Sequence, residues 1–420
     1  MQVEIKPTCL KGSVVVPPSK SYSHRGIIAS ALSCGKSKVS NVIFSNDIKA
    51  TIGGMSALGA NIQIDGNSLN IIGSPVLRKN DIINCEESGS TVRFLIPIAL
   101  CNEAEVTFVG KNNLVYRPLK PYLDICDEQG LKYTKFENEL PIKFDGKLKS
   151  GTYNIPGDIS SQFITGLLYA LPLLDGDSVI NITTPLESKG YIDLTLDILD
   201  KYQIKIVNDN YQKFYIAGNQ NYQPFDYYVE GDYSQAAFYL VAGIIGEGLT
   251  LKGMNEKSFQ GDMAIIDFIR KMGGRVEFVG DDLVCYKSKT HGAVIDLSQA
   301  PDLGPIITVL AALSEGETRI INASRLRIKE SDRILSITTE LRKLGANIEM
   351  LEDGMIINGI ENFGSSDKLS SWNDHRIAMS LAVASIRCND TIKIDGMESI
   401  NKSYPDFIKD FNSLGGQIKC

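Results

Sequence analysis

Residues 344–358 read Leu344-Gly345-Ala346-Asn347-Ile348-Glu349-Met350-Leu351-Glu352-Asp353-Gly354-Met355-Ile356-Ile357-Asn358, and they decide the fold. A helix-patterned run ends on Leu344-Gly345-Ala346, where the glycine supplies the left-handed residue that closes a helix C-terminus. Two β-rich stretches follow, Ala346–Leu351 and Met355–Asn358, which read as a hairpin. The same turn recurs as Leu58-Gly59-Ala60, Gln129-Gly130-Leu131, Lys201-Tyr202-Gln203, Met272-Gly273-Gly274 and Leu414-Gly415-Gly416, at spacings of 71, 72, 71, 72 and 70 between middle residues. Five of the six carry glycine; Tyr202 is the exception.

A second helix series keeps the same phase. Ala31-Leu32, Ala99-Leu100, Ala170-Leu171, Ala242-Gly243, Ala312-Leu313 and Ala384-Ser385 each lie late in an apolar, alanine-rich run. Two series in one phase define a repeat. Each unit reads strand, loop, helix, strand, helix, hairpin, so the fold class is α/β with mixed sheets. Copy six stops at Gly416-Gln417-Ile418-Lys419-Cys420, one hairpin strand short, and the spare strand at Gln2–Lys6 completes it. The expected domains are 13–225, holding copies one to three, and 1–12 with 226–420, holding copies four to six.

Composition bounds the partners. At 420 residues, with 43% apolar and 22% charged, the chain has a globular makeup and exceeds one ordinary core. A net charge of −7 argues against nucleic acid or an anionic membrane as partner, while leaving room for a local basic pocket. The opening MQVEIKPTCLKGSVVV lacks the apolar core of a signal peptide, and no apolar run is long enough to span a bilayer. The eight cysteines are scattered without a CxxC pair, and His24, His291 and His375 lie far apart, so neither disulfides nor zinc are expected. Gly35-Lys36-Ser37 resembles the end of a P-loop but has no glycine-rich approach. The expectation is a cytoplasmic monomer without metal or cofactor.

Polar residues gather where loops enter helices: Pro18-Ser19-Lys20-Ser21-Tyr22-Ser23-His24-Arg25, Glu87-Ser88-Gly89-Ser90-Thr91-Val92-Arg93, Gly157-Asp158-Ile159-Ser160-Ser161-Gln162, Gly231-Asp232-Tyr233-Ser234, Pro301-Asp302-Leu303-Gly304 and Asn373-Asp374-His375-Arg376. Ser90, Ser234 and Asp374 read as plain N-caps. Capping does not explain Lys20 with Arg25, Arg93, or His375-Arg376, because a cation opposes the positive end of a helix dipole. An anion bound between them would reconcile the two. The densest charge cluster, Leu326-Arg327-Ile328-Lys329-Glu330-Ser331-Asp332-Arg333, reads as the start of the second helix of copy five, with Lys329 and Arg333 repelling across one turn. Tyr116-Arg117-Pro118, Ser188-Lys189-Gly190-Tyr191 and Asn401-Lys402-Ser403-Tyr404-Pro405 occupy the matching place in copies two, three and six.

At these loops the sequence resembles the 3-phosphoshikimate 1-carboxyvinyltransferase (EPSP synthase) family. The stretches that carry the resemblance are PPSKSYSHR, ESGSTVRF, YRPL, GDISSQFITGLL, ESKGYIDLT, EGDYSQAAF, PDLGP, RIKESDR, WNDHRIAM and NKSYPDF, from Pro17 to Phe407. It implies two domains, each of three βαβαββ units in an inside-out barrel, with the active site in the cleft between them. It also implies a shikimate-pathway transferase acting on shikimate 3-phosphate and phosphoenolpyruvate. Lys20, Ser21, Arg25, Ser160, Ser161, Gln162, Ser188, Tyr191, Asp302 and Lys329 would hold shikimate 3-phosphate. Lys20, Gly89, Arg117, Gln162, Glu330, Arg333, His375, Arg376 and Lys402 would meet phosphoenolpyruvate. Asp302, Glu330 and Lys20 would be catalytic, with Asp302 activating the 5-hydroxyl and Glu330 handling the proton at C3. Glu87, Phe94 and Arg325 stand where many members have Asn, Pro and Asn.

Two other functions fit a repeat protein of this plan. One is an enolpyruvyl transferase acting on UDP-N-acetylglucosamine, which typically carries a cysteine where this chain has the cysteine-free Lys111–Arg117 stretch. The other is a non-catalytic repeat protein binding a phosphorylated metabolite, against which Asp302 and Glu330 speak, since carboxylates repel an anion.

Overall fold

The computed structural model describes residues 1–74, 76 and 80–420. Its strands form six sheets of four. In the fifth, Val294–Asp296 pairs parallel with Glu317–Ile321, which pairs antiparallel with Gly354–Asn358, itself antiparallel to Asn347–Leu351. All six sheets share this order, one parallel pair and two antiparallel pairs, because the helix–strand–helix connection and the hairpin alternate along the chain. The strand Val3–Ile5 lies between Ile392–Asp395 and Ile418–Lys419, antiparallel to both, and so fills the place that copy six leaves open.

The helix-ending turns are alike in backbone as well as in sequence. In every copy the residue just after the left-handed one donates its N–H to the carbonyl five residues back: Ala60 to Met55, Leu131 to Cys126, Ile204 to Leu199, Gly274 to Ile269, Ala346 to Leu341 and Gly416 to Phe411, at 2.8–3.1 Å. This bond requires a left-handed residue just before it. Gly59, Gly130, Gly273, Gly345 and Gly415 supply it. In copy three the left-handed residue is Gln203, with φ of 62°, and not Tyr202, which is the C-cap. The sequence phase is therefore one residue off there, because tyrosine was aligned with the glycines. Tyr202 is kept by its own packing, fully buried with its hydroxyl 2.6 Å from Ser30 Oγ.

Cα packing divides the chain into two compact units, Met1–Pro17 with Glu230–Cys420, and Pro18–Val229. The expected borders at 13 and 226 need correction by a few residues. The strand Ser13–Val15 pairs parallel with Leu249–Lys252, and Tyr227–Tyr228 pairs parallel with Lys36–Ser40. Each leading strand thus stays hydrogen-bonded in the unit that the chain is about to leave, whereas the repeat assigns it to the copy it precedes. Strands of three and two residues carry too little pattern to reveal this.

Each unit has its own helical core. Tyr233–Ile245, Gly304–Ala312 and His375–Ala384 are buried on every residue, the mark of helices enclosed on all sides. Lys20–Leu32, Gly89–Ala99 and Ser161–Ala170 do the same in the other unit, with only two or fewer first-turn residues left partly open. Because these helices are sheathed in apolar contacts, their N-terminal ends are where the polar loops accumulate. No described helix is long and apolar enough to cross a membrane.

Candidate active site

In the unit 18–229, Lys20 opens the helix Lys20–Leu32, with Ser19 capping it by accepting the Tyr22 N–H at 3.3 Å. The Lys20 ammonium lies 2.9 Å from Asp47, at the start of the helix Asn46–Ala57. Arg117 packs its guanidinium over Gly89. A Cβ at Gly89 would lie 2.8 Å from Arg117 Cζ, so glycine is required for the approach. Among the described residues the buried Arg117 Nε has no hydrogen-bond partner. A cation held against a helix N-terminus with a buried donor to spare is a receptor for an anion.

The Gln162 amide is fixed at both ends: Oε1 accepts from Arg93 at 2.8 Å, and Nε2 donates to Ser90 Oγ at 3.0 Å. Ser160 caps the helix Ser161–Ala170 by accepting the Gln162 N–H, and Ser161 is buried beside it. Ser21 is half-buried in the first turn of its helix. Ser188 is buried in a left-handed conformation with φ of 56°. Arg25 sits behind these groups. Its guanidinium donates to Thr195 at 2.9 Å, to the Ser21 carbonyl at 2.9 Å and to the Tyr191 carbonyl at 2.9 Å. It ties the Ser188–Tyr191 stretch to the first helix.

In the other unit the centre is Asp302. Its Oδ1 is 3.0 Å from Lys329 and 2.9 Å from Arg333, and its Oδ2 is 3.1 Å from Arg376. Arg376 also donates to the Asp302 carbonyl at 3.1 Å. Arg333, only 1% exposed, pairs with Glu330 as well and meets Asp374 at 2.8 Å. Asp374 caps the helix His375–Ala384 by accepting the Arg376 N–H at 2.9 Å. His375 is buried beside it. Lys402 ends a 3-10 turn, Met397–Lys402, and donates to the Asn373 carbonyl at 2.6 Å.

Charge coupling follows from this packing. Burial would raise the Asp302 pKa, but Arg376, Lys329 and Arg333 outweigh it and hold the carboxyl well below 3.8. Burial pulls Lys329 down to about 8, against the attraction of Asp302 and with Arg325 and Arg333 adding repulsion. Burial works against the charge of Arg333, yet Asp374, Glu330 and Asp302 push its pKa up. Asp262, buried in the turn Gly261–Met263, is raised to about 6 by burial and by the charge of Asp302. His24 is held well below 6.5 by burial, then by Lys20 and Arg25. Its Nδ1 is 2.7 Å from Thr51 Oγ1.

Several expectations shift. Ser90 and Ser234 are not caps: Ser88 and Asp232 cap those helices, and Ser90 orients Gln162 instead. Asp374 is a cap and also a partner of Arg333. Residues 324–328 form a 3-10 turn and the α-helix begins only at Arg333, so Lys329 lies outside it, and Lys329 and Arg333 share Asp302 rather than facing each other along one helix. Asp47, Asp262 and Glu340 escaped the sequence reading. Asp47 looks like any first-turn acid, Asp262 is marked only by groups about thirty residues or more away, and the one nearby partner of Glu340, Lys343, makes it look like an ordinary helix ion pair. His291 is exposed, as its turn context suggested.

Six repeats with charged, phosphate-suited loops define the enolpyruvyl transferase class of fold. The chain matches an EPSP synthase from Acinetobacter baumannii with a TM-score of 0.82 at 25% identity, over all of both chains. It also matches the enolpyruvyl transferase NikO from Streptomyces tendae with a TM-score of 0.81 at 16% identity, over all of this chain and 98% of that one, a likeness of fold alone.

Within that class, the model of the EPSP synthase (3-phosphoshikimate 1-carboxyvinyltransferase) family matches residues 5–411, and the chain belongs to this family. It is 52% identical to the 3-phosphoshikimate 1-carboxyvinyltransferase of Clostridium novyi (strain NT) over 426 aligned positions, covering 99% of this chain and 98% of the relative. With the protein of the same name from Clostridium acetobutylicum the identity is 51%, over 99% and 98%.

Proposed function

We infer that this chain transfers the enolpyruvyl group of phosphoenolpyruvate to the 5-hydroxyl of shikimate 3-phosphate and releases phosphate, in the shikimate pathway of aromatic amino acid biosynthesis. Family membership supports the reaction. The observation that carries the residue roles is Asp302 gathering Lys329, Arg333 and Arg376, with Glu330 joined through Arg333. Such a cluster holds carboxylates ready beside cations that suit anionic substrates.

On this reading Lys20, Ser21, Ser160, Ser161, Gln162, Ser188, Tyr191 and Lys329 receive shikimate 3-phosphate, with Arg25 supporting them from behind. Arg117 against Gly89, with Arg333, His375, Arg376 and Lys402, receives phosphoenolpyruvate. Both sets act on one substrate pair. The 5-oxygen forms a bond to C2 and gives its proton to Asp302, while C3 takes a proton from Glu330. The tetrahedral adduct then gives a proton from its C3 methyl group back to Glu330 as the C2–oxygen bond to phosphate breaks, restoring the double bond, with Lys20 meeting the departing phosphate.

The ligand-free pairing gives the substrates a direct role. An incoming phosphoenolpyruvate carboxylate competes with Asp302 and Glu330 for Arg333 and Arg376. Each carboxylate that loses a cation becomes easier to protonate, which is what both proton transfers require. We further propose that the enzyme works as a cytoplasmic monomer without metal or cofactor, so that chelation leaves its rate unchanged.

Phosphate release from shikimate 3-phosphate and phosphoenolpyruvate tests the reaction, with UDP-N-acetylglucosamine as the alternative acceptor. Release with the nucleotide sugar alone, or with neither acceptor, overturns the assignment. Glu330→Gln tests the proton at C3: a turnover within a few-fold of wild type removes Glu330 from that step.

A further inference from the structure

Glu340 lies two turns into the helix Arg333–Lys343, and it is 1% exposed. Its carboxylate is a hub. Oε1 accepts from Trp372 Nε1 at 2.7 Å and from Lys343 Nζ at 2.9 Å; Oε2 accepts from the Ser370 N–H at 3.0 Å and from Lys343 Nζ at 2.7 Å. Lys343 donates in turn to the Lys368 carbonyl at 2.9 Å. Two residues one turn apart on one helix therefore grip the stretch 368–372.

That stretch is strained. Trp372 and Asn373 follow one another with φ of 54° each, in a region that side chains other than glycine avoid. Two successive residues there persist only where the surroundings over-determine them. The Trp372 N–H bonds Ser370 Oγ at 3.0 Å, and the Asn373 N–H bonds Ser371 Oγ at 3.2 Å, but these are local ties. Ser371 ties the stretch to the neighbouring strand, its N–H on the Asp395 carbonyl at 2.9 Å and its Oγ on the Gly396 carbonyl at 2.8 Å. The charged ties are Glu340 at the front of the turn and Arg333 on Asp374 behind it, both from one helix. What the turn delivers is the Asn373 carbonyl, 2.6 Å from Lys402 Nζ, followed at once by the helix start that carries His375 and Arg376.

We propose that Glu340 is a positioning residue: through Trp372 and the Ser370 amide it fixes the left-handed Trp372–Asn373 turn, and so sets where Lys402 and Arg376 meet phosphoenolpyruvate. It touches no substrate, and it rests on the reading that Lys402 and Arg376 hold that substrate. Charge-assisted bonds from a buried carboxylate are the strong kind, suited to holding a strained turn. Trp372 is the only tryptophan in the chain, so its emission reads the turn directly.

The test compares wild type with Glu340→Gln, Glu340→Asp and Trp372→Phe, by steady-state phosphate release and by intrinsic emission. In Glu340→Gln an NH2 replaces one acceptor oxygen and faces donors, so the turn loses at least one tie. The KM for phosphoenolpyruvate should rise about tenfold while kcat and the KM for shikimate 3-phosphate stay within about twofold, the pattern of lost substrate binding. The tryptophan emission of Glu340→Gln should shift to the red, and Trp372→Phe should raise the same KM by a smaller factor. Glu340→Asp, which keeps the charge, should recover part of the loss. An unchanged KM for phosphoenolpyruvate in Trp372→Phe and Glu340→Gln overturns the proposal, as does a fall in kcat with both KM values and the melting temperature moving together. If Glu340→Gln does not fold, Trp372→Phe alone decides by the same KM. A wild type that releases no phosphate would instead sink the assigned reaction, a separate outcome.

Discussion

Asp302 is one carboxylate answering three cations, and a group so placed has two separable jobs. It keeps Lys329, Arg333 and Arg376 together without ligand, and on the proposed reading it accepts a proton once they are drawn away. Asp302→Asn keeps the shape and removes both the charge and the basicity. We expect kcat to fall by about 10²–10⁴, the range for losing a general base. The KM for phosphoenolpyruvate should not rise, because the competing carboxylate is gone; a raised value with unchanged kcat would show that Asp302 only binds. Lys329 gives a pH signature. With its pKa near 8 rather than 10.5 it sheds its proton as pH climbs past about 8, so the KM for shikimate 3-phosphate should be flat below that pH and rise above it. Lys329→Arg, which stays charged, should keep the KM flat. A wild-type KM unchanged up to pH 9.5 would remove Lys329 from the phosphorylated substrate. The grouping of Asp302, Lys329 and Arg376 was legible because each sits in a short charged stretch at or just before a helix start, where capping does not explain the cations. Glu340 was not: its signal is an ordinary acid on a helix, and its partners Ser370 and Trp372 are 30 and 32 residues on.

Elements obey the repeat more strictly than single residues do. The alternation of helix and hairpin reads directly from periodicity, since helical and strand spacing differ and six copies average out local noise. The leading strands Ser13–Val15 and Tyr227–Tyr228 did not, because hydrogen bonding and not pattern decides which sheet a two- or three-residue strand joins. The helix-ending turns allow a paired experiment. Gly345 has φ of 88° and open space around it, so a methyl group there meets no neighbour and costs only backbone strain. Gly345→Ala should destabilise its unit by about 1 kcal/mol. Gln203, left-handed in the matching place, already carries that strain, so Gln203→Gly should stabilise the other unit by a similar amount. Calorimetric melting of both variants checks the opposite signs. A loss in both would mean that Gln203 is held by contacts its side chain makes, and not merely tolerated.

For the whole molecule, the two units have separate helical cores, and two strands of chain join them at Pro17–Pro18 and Val229–Glu230. Such a protein need not unfold in one step. Without ligand, the units are expected to melt as distinguishable transitions, and Gly345→Ala should move only that of 1–17 with 230–420. Shikimate 3-phosphate changes the problem if Ser160, Ser161 and Gln162 from one unit and Asp302 and Lys329 from the other hold the same molecule. The bound state then requires both units folded, and mass action stabilises them jointly, by about 2.7 kcal/mol at a hundred times the dissociation constant. At saturation the two transitions should merge into one at higher temperature, and Gly345→Ala should now shift that single transition as a whole. A ligand held by one unit would raise one transition and leave the other where it stood. The calorimetric trace therefore separates a ligand shared by both units from one held by a single unit, without recourse to turnover.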